Sequence, residues 1–329
     1  MGLFPFERIK REILIKREAT TDPAFGCPPE QRPTSALLDF GIINLDKPRG
    51  PTTHQLTDYV KRILGIRKAG HSGSLDPAVT GVVIVGLGLS TKIARVLLKT
   101  GKEYVCVMHL HGDVPEQEIR QSAARFVGRI RQLPPRKAAV KRVLRQREIY
   151  WLDVLEVEGR DVLFRVGCEA GTYIRRLCTD WGATLGVGAH MAELRRTRLG
   201  QFDEANSWTL HDLKDAYVFW REEQNDRFFR AVVRPVEEAV SHLPKIWLLD
   251  SAIDSVCHGA SLMIPGIAKL ESQIMPHDLV AMLSLKGELV ALGEAQLGSG
   301  QILALERGMA VRTMRVFMQP GLYPSIKKG

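Results

Sequence analysis

Gly70-His71-Ser72-Gly73-Ser74-Leu75-Asp76-Pro77 runs almost directly into Val79–Leu89, VTGVVIVGLGL. Gly70 and Gly73 permit backbone angles that other residues resist, and Pro77 biases Asp76 away from helical geometry. The apolar run behind it reads as a buried strand in which Gly81, Gly86 and Gly88 let neighbouring backbones come close. The pattern therefore predicts an aspartate displayed on a loop in front of a core strand. There it suits a nucleophile or a base, and equally an aspartate that only closes a turn.

Toward the N-terminus, a strand is expected over Gly41–Leu45, then a charged turn Asp46-Lys47-Pro48-Arg49-Gly50 and a helix over His54–Leu64. Leu56, Val60, Ile63 and Leu64 give that helix its apolar stripe. Toward the C-terminus, Thr91–Leu98 reads as a short helix. Alternation from Lys102 to Gly112 then puts Tyr104, Cys106, Met108 and Leu110 on one face of a strand. His109 and His111 share the other face, a spacing that suits a metal, but no Cys or carboxylate stands beside them in sequence, so no metal site is read.

After a helix over Glu116–Val127, the run Arg129–Arg147 is strongly basic and contains no acidic residue. Such a run is either a solvated face or, with Pro134 and Pro135 inside it, a long mobile loop suited to gripping phosphates. Tyr150–Val157 and Val162–Val166 suggest a hairpin. A strand then breaks at Gly171 and a helix begins, placing Tyr173 and Arg175 at the junction. Past a flexible Leu185–His190, Met191–Gly200 carries a second basic cluster, Arg195, Arg196 and Arg198. Trp208–Phe229 and Ala231–His242 read as helices.

Leu243-Pro244 is a boundary, and the short strands and glycine turns after it predict a small β-barrel. The expected fold is α+β: a mixed-sheet domain over 35–243, a barrel over 244–323, and an N-terminal extension over 1–34, rich in turn formers from Thr20 to Pro33, that packs on the barrel.

Composition narrows the partner more than the fold. The formal net charge of +9 over 329 residues favours a polyanion. Five scattered cysteines without a CxxC pair suit free thiols in a reducing compartment. No run of 18 apolar residues and no signal-peptide core is present, so a soluble intracellular protein with no membrane partner is expected.

Taken together, GHSGSLDP (70–77), KEY (102–104), GTYIR (171–175) and AELRRT (192–197) resemble the motifs of the TruB-type RNA pseudouridine synthases. The closing barrel, with His258-Gly259-Ala260 and Val280-Ala281-Met282, resembles a PUA domain. The combination is most similar to the archaeal dyskerin-type branch, which works in H/ACA guide ribonucleoproteins. The resemblance implies Asp76 as catalytic aspartate, Tyr104 and Tyr173 as active-site aromatics and Arg175 as the partner of Asp76. It implies Leu194 lining the pocket, His71 near the flipped uridine, and Lys47 with the substrate-binding set, supporting the catalytic loop.

The basic segment with Lys141, Arg142 and Arg145 becomes a thumb loop over the substrate. Arg195, Arg196, His258 and Gly259 join it as RNA contacts. The implied partners are an H/ACA guide RNA, an rRNA substrate, a small zinc-ribbon-like protein, a β-barrel protein at the thumb loop and a kink-turn-binding protein. No metal or other cofactor is implied, and the archaeal resemblance implies a cytoplasmic location. Two other readings fit the residues: a stand-alone tRNA synthase, and an RNA-binding scaffold in which Asp76 is idle. A glycoside hydrolase fits poorly, because only Glu103 and Glu169 are offered as the second carboxylate.

Overall fold

The alternating Lys102–Leu110 strand lies near the middle of a mixed sheet in the computed structural model, which describes residues 2–134, 141 and 143–325. Across that sheet the order is Val233–Pro235, Gly41–Lys47, Thr80–Leu87, Ala189–Leu199, Lys102–Leu110, Asp161–Cys168, Arg145–Glu158, Gly128–Gln132. Among the described residues, neighbouring strands of this sheet run antiparallel except at one place. Thr80 and Gly81 pair in parallel with Arg195 and Arg196.

That junction needs its glycine. Gly81 has φ +103°, and a Cβ there would sit 2.1 Å from the Arg196 carbonyl oxygen.

Each strand buries alternate residues on opposite faces. Ile43, Leu45, Val83 and Val85 join Tyr104, Cys106 and Met108 in a core covered by the helices Thr53–Leu64, Ile174–Thr184 and Leu210–Glu223. Trp181 is buried there with its indole N–H satisfied, donating to Ser122 Oγ at 2.7 Å.

Ile42, Val82 and Ile84 face the other way and pack against Ala281, Leu283, Leu289, Leu292 and Phe317 of the barrel. The C-terminal domain thus shares a core with the back of the catalytic sheet, while a third cluster fills the barrel itself.

The barrel sheet runs Ile13–Ile15, Ile267–Glu271, Lys245–Leu248, Leu279–Leu283, Leu289–Ala295, Met309–Val316, Leu262–Met263. Its first strand comes from the N-terminal segment, with Leu14 opposite Leu270. The segment touches both domains. Thr21 Oγ1 donates to Asp250 Oδ2 at 2.9 Å. Phe4 is fully buried against Trp151 and lies 4.6 Å under the Arg198 guanidinium, which also pairs with Glu7.

Three local expectations change. The basic run is not one long loop: Gly128–Gln132 and Arg145–Glu158 are paired strands, with Ile130 opposite Arg147. The second basic cluster lies within a central strand, Ala189–Leu199, which the sequence did not announce. Ala231–His242 is no continuous helix, because Pro235 cannot extend the turns before it; Val233–Pro235 is a strand and Val236–Val240 a short 3-10 turn.

Candidate active site

The loop carrying Asp76 is fixed at several points. Ser72 exchanges hydrogen bonds with Ile84, its N–H donating to the Ile84 carbonyl at 2.9 Å and its Oγ accepting from Ile84 N–H at 3.1 Å. Leu75 N–H donates to Thr53 Oγ1 at 2.9 Å. Gly50 N–H donates to the Pro77 carbonyl, and Val79 N–H to the Asp76 carbonyl, both at 2.9 Å.

Lys47 closes the set from below. It is 0% exposed and its ammonium donates to the carbonyls of Pro48, Pro77 and Val79, at 2.9, 3.2 and 2.8 Å. Burial pushes its pKa down, and the Asp76 carboxylate pulls it back up. A lysine so enclosed holds the loop and cannot contact substrate, which corrects its place in the substrate-binding set.

The Asp76 carboxylate is ion-paired with Arg175, from the first turn of Ile174–Thr184, and both side chains are more than half exposed. They stand at a cleft of about 820 Å³ that Tyr104, Tyr173, Leu194, Lys102 and Arg196 also line. Tyr104 is 8% exposed. Burial raises its pKa, and the charge of Arg196 acts in the opposite sense.

Arg196, expected among the RNA contacts, is only 1% exposed and forms part of the cleft floor. Its Nε donates to the Val82 carbonyl at 2.7 Å, and Nη2 is buried without a partner.

Two residues given no role in the sequence reading complete the site, one of them, Lys102, inside the KEY motif. Lys102 is 7% exposed, caps the carbonyls of Leu98 and Thr100 at 3.1 and 2.7 Å, and is pushed down to about 8 by burial. Gln132, at the base of the basic hairpin, grips the Tyr173 backbone from both sides. Its amide donates to the Tyr173 carbonyl at 3.1 Å and its oxygen accepts from Tyr173 N–H at 3.0 Å. The only trace of Gln132 in the sequence is an uncharged residue at the end of a basic strand.

The remaining expected residues lie elsewhere. His71 packs edge-on against His54 at 4.8 Å, outside the cleft lining, its pKa lowered by burial and by His54. Arg195 is held by Asp46, at 2.9 and 3.0 Å, and by Glu204 at 2.6 Å. Lys141 is exposed; Arg145 donates to the Lys141 carbonyl at 3.4 Å, and Arg142 lies outside the described residues. In the barrel, His258 is exposed and its Nδ1 lies 2.8 Å from the Asp254 carbonyl, beside Gly259 with φ +92°.

A second hollow of about 680 Å³, around Asn44, Gln201, Trp208 and Arg234, holds none of the expected residues. Among the described residues no helix is long and apolar enough to cross a membrane.

A displayed aspartate paired with its arginine thus stands at a cleft with a buried tyrosine, on a mixed sheet with an appended barrel. Comparison with known proteins identifies the family. Residues 4–57 match the DKCLD domain, 61–118 the N-terminal domain of TruB family pseudouridylate synthases, 175–241 the C-terminal domain of tRNA pseudouridylate synthase B, and 244–317 the PUA domain.

The chain is 56% identical over 320 residues to a probable tRNA pseudouridine synthase B of Methanopyrus kandleri, covering 97% of this chain and 94% of that one. It is 55% identical to the protein of the same name from Thermococcus kodakarensis, covering 97% and 95%. Among solved structures it matches a chain of a Cbf5-Nop10-Gar1 complex, with TM-score 0.94, 54% identity and 99% of each chain covered. It also matches a chain of an H/ACA RNP bound to a substrate RNA containing 2'-deoxyuridine, with TM-score 0.91, 53% identity and 97% and 98% covered. The chain belongs to the TruB family of pseudouridine synthases, in its dyskerin-type branch.

Proposed function

We propose that this chain is the catalytic subunit of an H/ACA guide ribonucleoprotein, isomerising chosen uridines of rRNA to pseudouridine. The observation that carries the reading is the likeness, over 97% of the chain, to proteins solved in H/ACA assemblies, N-terminal segment and barrel included. We take residues 1–34 as an extension, 35–243 as the catalytic domain and 244–323 as the RNA-binding PUA domain.

The reaction breaks the bond between uracil N1 and ribose C1′, turns the base, joins C5 to C1′, and moves one proton from C5 to N1. It is redox neutral. It needs a nucleophile, a proton acceptor at C5, and walls that keep the freed uracil in place. Asp76 is the nucleophile, whether it engages ribose C1′ or the base first. Tyr104, under the base, is placed for the C5 proton, and Leu194 and Tyr173 close the pocket. Arg175 is a positioning residue: it touches Asp76 and fixes its rotamer. Lys47 acts one step further back, on the loop.

Extruding a uridine from its stack costs a few kcal/mol, and one aromatic contact returns about 1–3 kcal/mol. A pocket so balanced recognises uracil without choosing among uridines, so the target is chosen by pairing to the guide RNA while the basic hairpin and barrel hold backbone and shape. The assembly includes proteins like those solved with Cbf5, which we take as the zinc-ribbon-like and thumb-binding partners, and a kink-turn-binding protein reached through RNA. The compartment is the archaeal cytoplasm. The relatives' name favours one second reading, a tRNA enzyme acting without a guide.

Tritium release from uridine labelled at C5 tests both readings, using matched guide and target RNA with the partner proteins, and Asp76→Asn in parallel. Guide-dependent release that Asp76→Asn abolishes is expected. Release from bare tRNA without a guide favours the second reading. RNA binding with no release under either condition overturns both.

A further inference from the structure

The end of the catalytic sheet away from Asp76 gathers three histidines and a carboxylate that the isomerisation does not use. His109 lies between two register partners, Asp161 on the neighbouring strand on one side and His190 on the other. His111 lies one residue past the end of that strand, and its ring joins the group through its contact with His190. Folding thus supplies the carboxylate and third imidazole that the sequence around His109 and His111 lacks.

The contacts are specific. Asp161 Oδ1 lies 2.7 Å from His109 Nδ1. That carboxylate keeps the proton on Nδ1 and leaves Nε2 with a free lone pair, the arrangement by which a carboxylate orients a metal-ligating histidine. His111 Nε2 and His190 Nδ1 face one another at 3.0 Å. A tetrahedral zinc with Zn–N bonds of about 2.0–2.1 Å holds two ligand nitrogens about 3.3 Å apart, so widening this pair by a few tenths of an ångström admits the ion. The His190 ring centroid is 5.4 Å from that of His109 and 5.2 Å from that of His111, so His190 joins the other two into one cluster.

Among the described residues no three such side chains already form a group that could hold a metal ion, and His111 and His190 are hydrogen-bonded to one another. An incoming cation replaces that bond with two stronger ones. The side chains are accessible: His109 is 39% exposed and Asp161 56% exposed, with His111 and His190 on the surface.

We propose that His109, His111 and His190, with Asp161 orienting His109, form a site for a divalent transition cation of the zinc class. Imidazole nitrogens select such ions over magnesium or calcium. Three protein ligands leave the fourth position to water or to a group from a neighbouring molecule. Bound there, the ion ties together one end of Lys102–Leu110 and one end of Ala189–Leu199, strands that line the cleft through Lys102 and Tyr104 and through Met191, Leu194 and Arg196.

The test is calorimetric titration of the full chain with Zn2+ alone, in a Cys27→Ser background because Cys27 is only half-buried. One ion per chain is expected, with affinity falling at least tenfold in His190→Ala and in His109→Ala. Asp161→Asn is expected to weaken binding about tenfold without removing a ligand. The Co2+ form should show the intense visible bands of a four-coordinate site, a readout that does not depend on any variant folding. Wild-type affinity equal to that of His190→Ala overturns the proposal. So does affinity unchanged in both His109→Ala and Asp161→Asn, which reduces the site to a histidine pair, or a pale six-coordinate Co2+ spectrum.

Discussion

Arg196 stands directly across from Tyr104 in the antiparallel pairing of Lys102–Leu110 with Ala189–Leu199, buried, with one guanidinium nitrogen unpartnered. Burying a cation without a carboxylate is costly, and such exceptions concentrate where the charge is used. Here it lies beneath the cleft, where its charge favours the tyrosinate that can take the C5 proton and steadies negative charge on the uracil oxygens. Arg196→Gln should therefore raise the Tyr104 pKa further, read as tyrosinate absorbance against a Tyr104→Phe control. Turnover should fall by roughly 10²-fold, the usual loss for one transition-state donor, with RNA affinity unchanged. Unchanged turnover would make Arg196 only a packing residue.

Arg175→Ala separates positioning from folding. Its pair with Asp76 is more than half exposed on both sides, and exposed pairs contribute no more than about 1 kcal/mol to stability. The thermal midpoint should hardly move. Turnover should fall on the order of 10²-fold, because a misplaced nucleophile loses its attack geometry. Equal losses of stability and rate would count against this division.

His242 makes stability depend on pH. It packs edge-on against Phe6 at 5.7 Å, and burial, aided by Lys245 and Arg11, pushes it down to about 4. The unfolded chain takes up this proton near pH 6.5 and the folded chain only near 4, so stability drains away as pH falls through that window. At pH 4.5 the group's share is about 2 kcal/mol by the same linkage. In urea unfolding, His242→Gln should lose about 2 kcal/mol less than the wild type between pH 7 and 4.5. Identical losses would remove His242 from the account.

Arg145 opens the second of the paired basic strands, and Lys141, four residues before it, is exposed. Neutralising them together with Arg142 should flatten the dependence of guide-RNA binding on salt, by about 0.7–0.9 in slope for each phosphate no longer engaged. A slope that does not change makes the hairpin a solvated face.

Removing residues after Leu243 should not leave a healthy catalytic domain, contrary to the independence that the Leu243-Pro244 boundary suggests. Ile42, Val82 and Ile84 would be stripped of Leu283, Leu289 and Phe317 as packing partners. Each fully buried side chain of this kind is worth about 1.5–3 kcal/mol. The truncation should aggregate or lose its cooperative unfolding transition; a monomeric fragment with wild-type cooperativity would show the shared core to be dispensable.

Legibility followed locality. The Asp76 loop and the strands on either side of it were readable because glycine, proline and alternating apolar residues act within a few positions. The central strand Ala189–Leu199 was not, because three arginines close together look solvated. In the fold they go three ways: Arg195 to two carboxylates, Arg196 to the cleft floor, Arg198 to Glu7 and the Phe4 ring. The Tyr104 face was legible from alternation, whereas Gln132 and Lys102 took their places from partners far away in sequence or from burial that composition does not record. The resemblance already made Arg175 the partner of Asp76, and in the fold the two are ion-paired across 99 residues of sequence.

The pairing of Ile13–Ile15 with Ile267–Glu271 also sets a clock. During synthesis the first of these strands leaves the ribosome long before the second exists. At about 5–20 residues per second, that leaves it on the order of 10–50 s without its partner. For that interval an apolar, strand-forming segment has both edges open, where in the fold, as the last strand of its sheet, it has one; open edges are the kind of surface on which nascent chains associate with one another. Its charged neighbours, Lys10, Arg11, Glu12, Lys16 and Arg17, lie on either side of the three aliphatic residues and keep the waiting segment in solution until the barrel arrives.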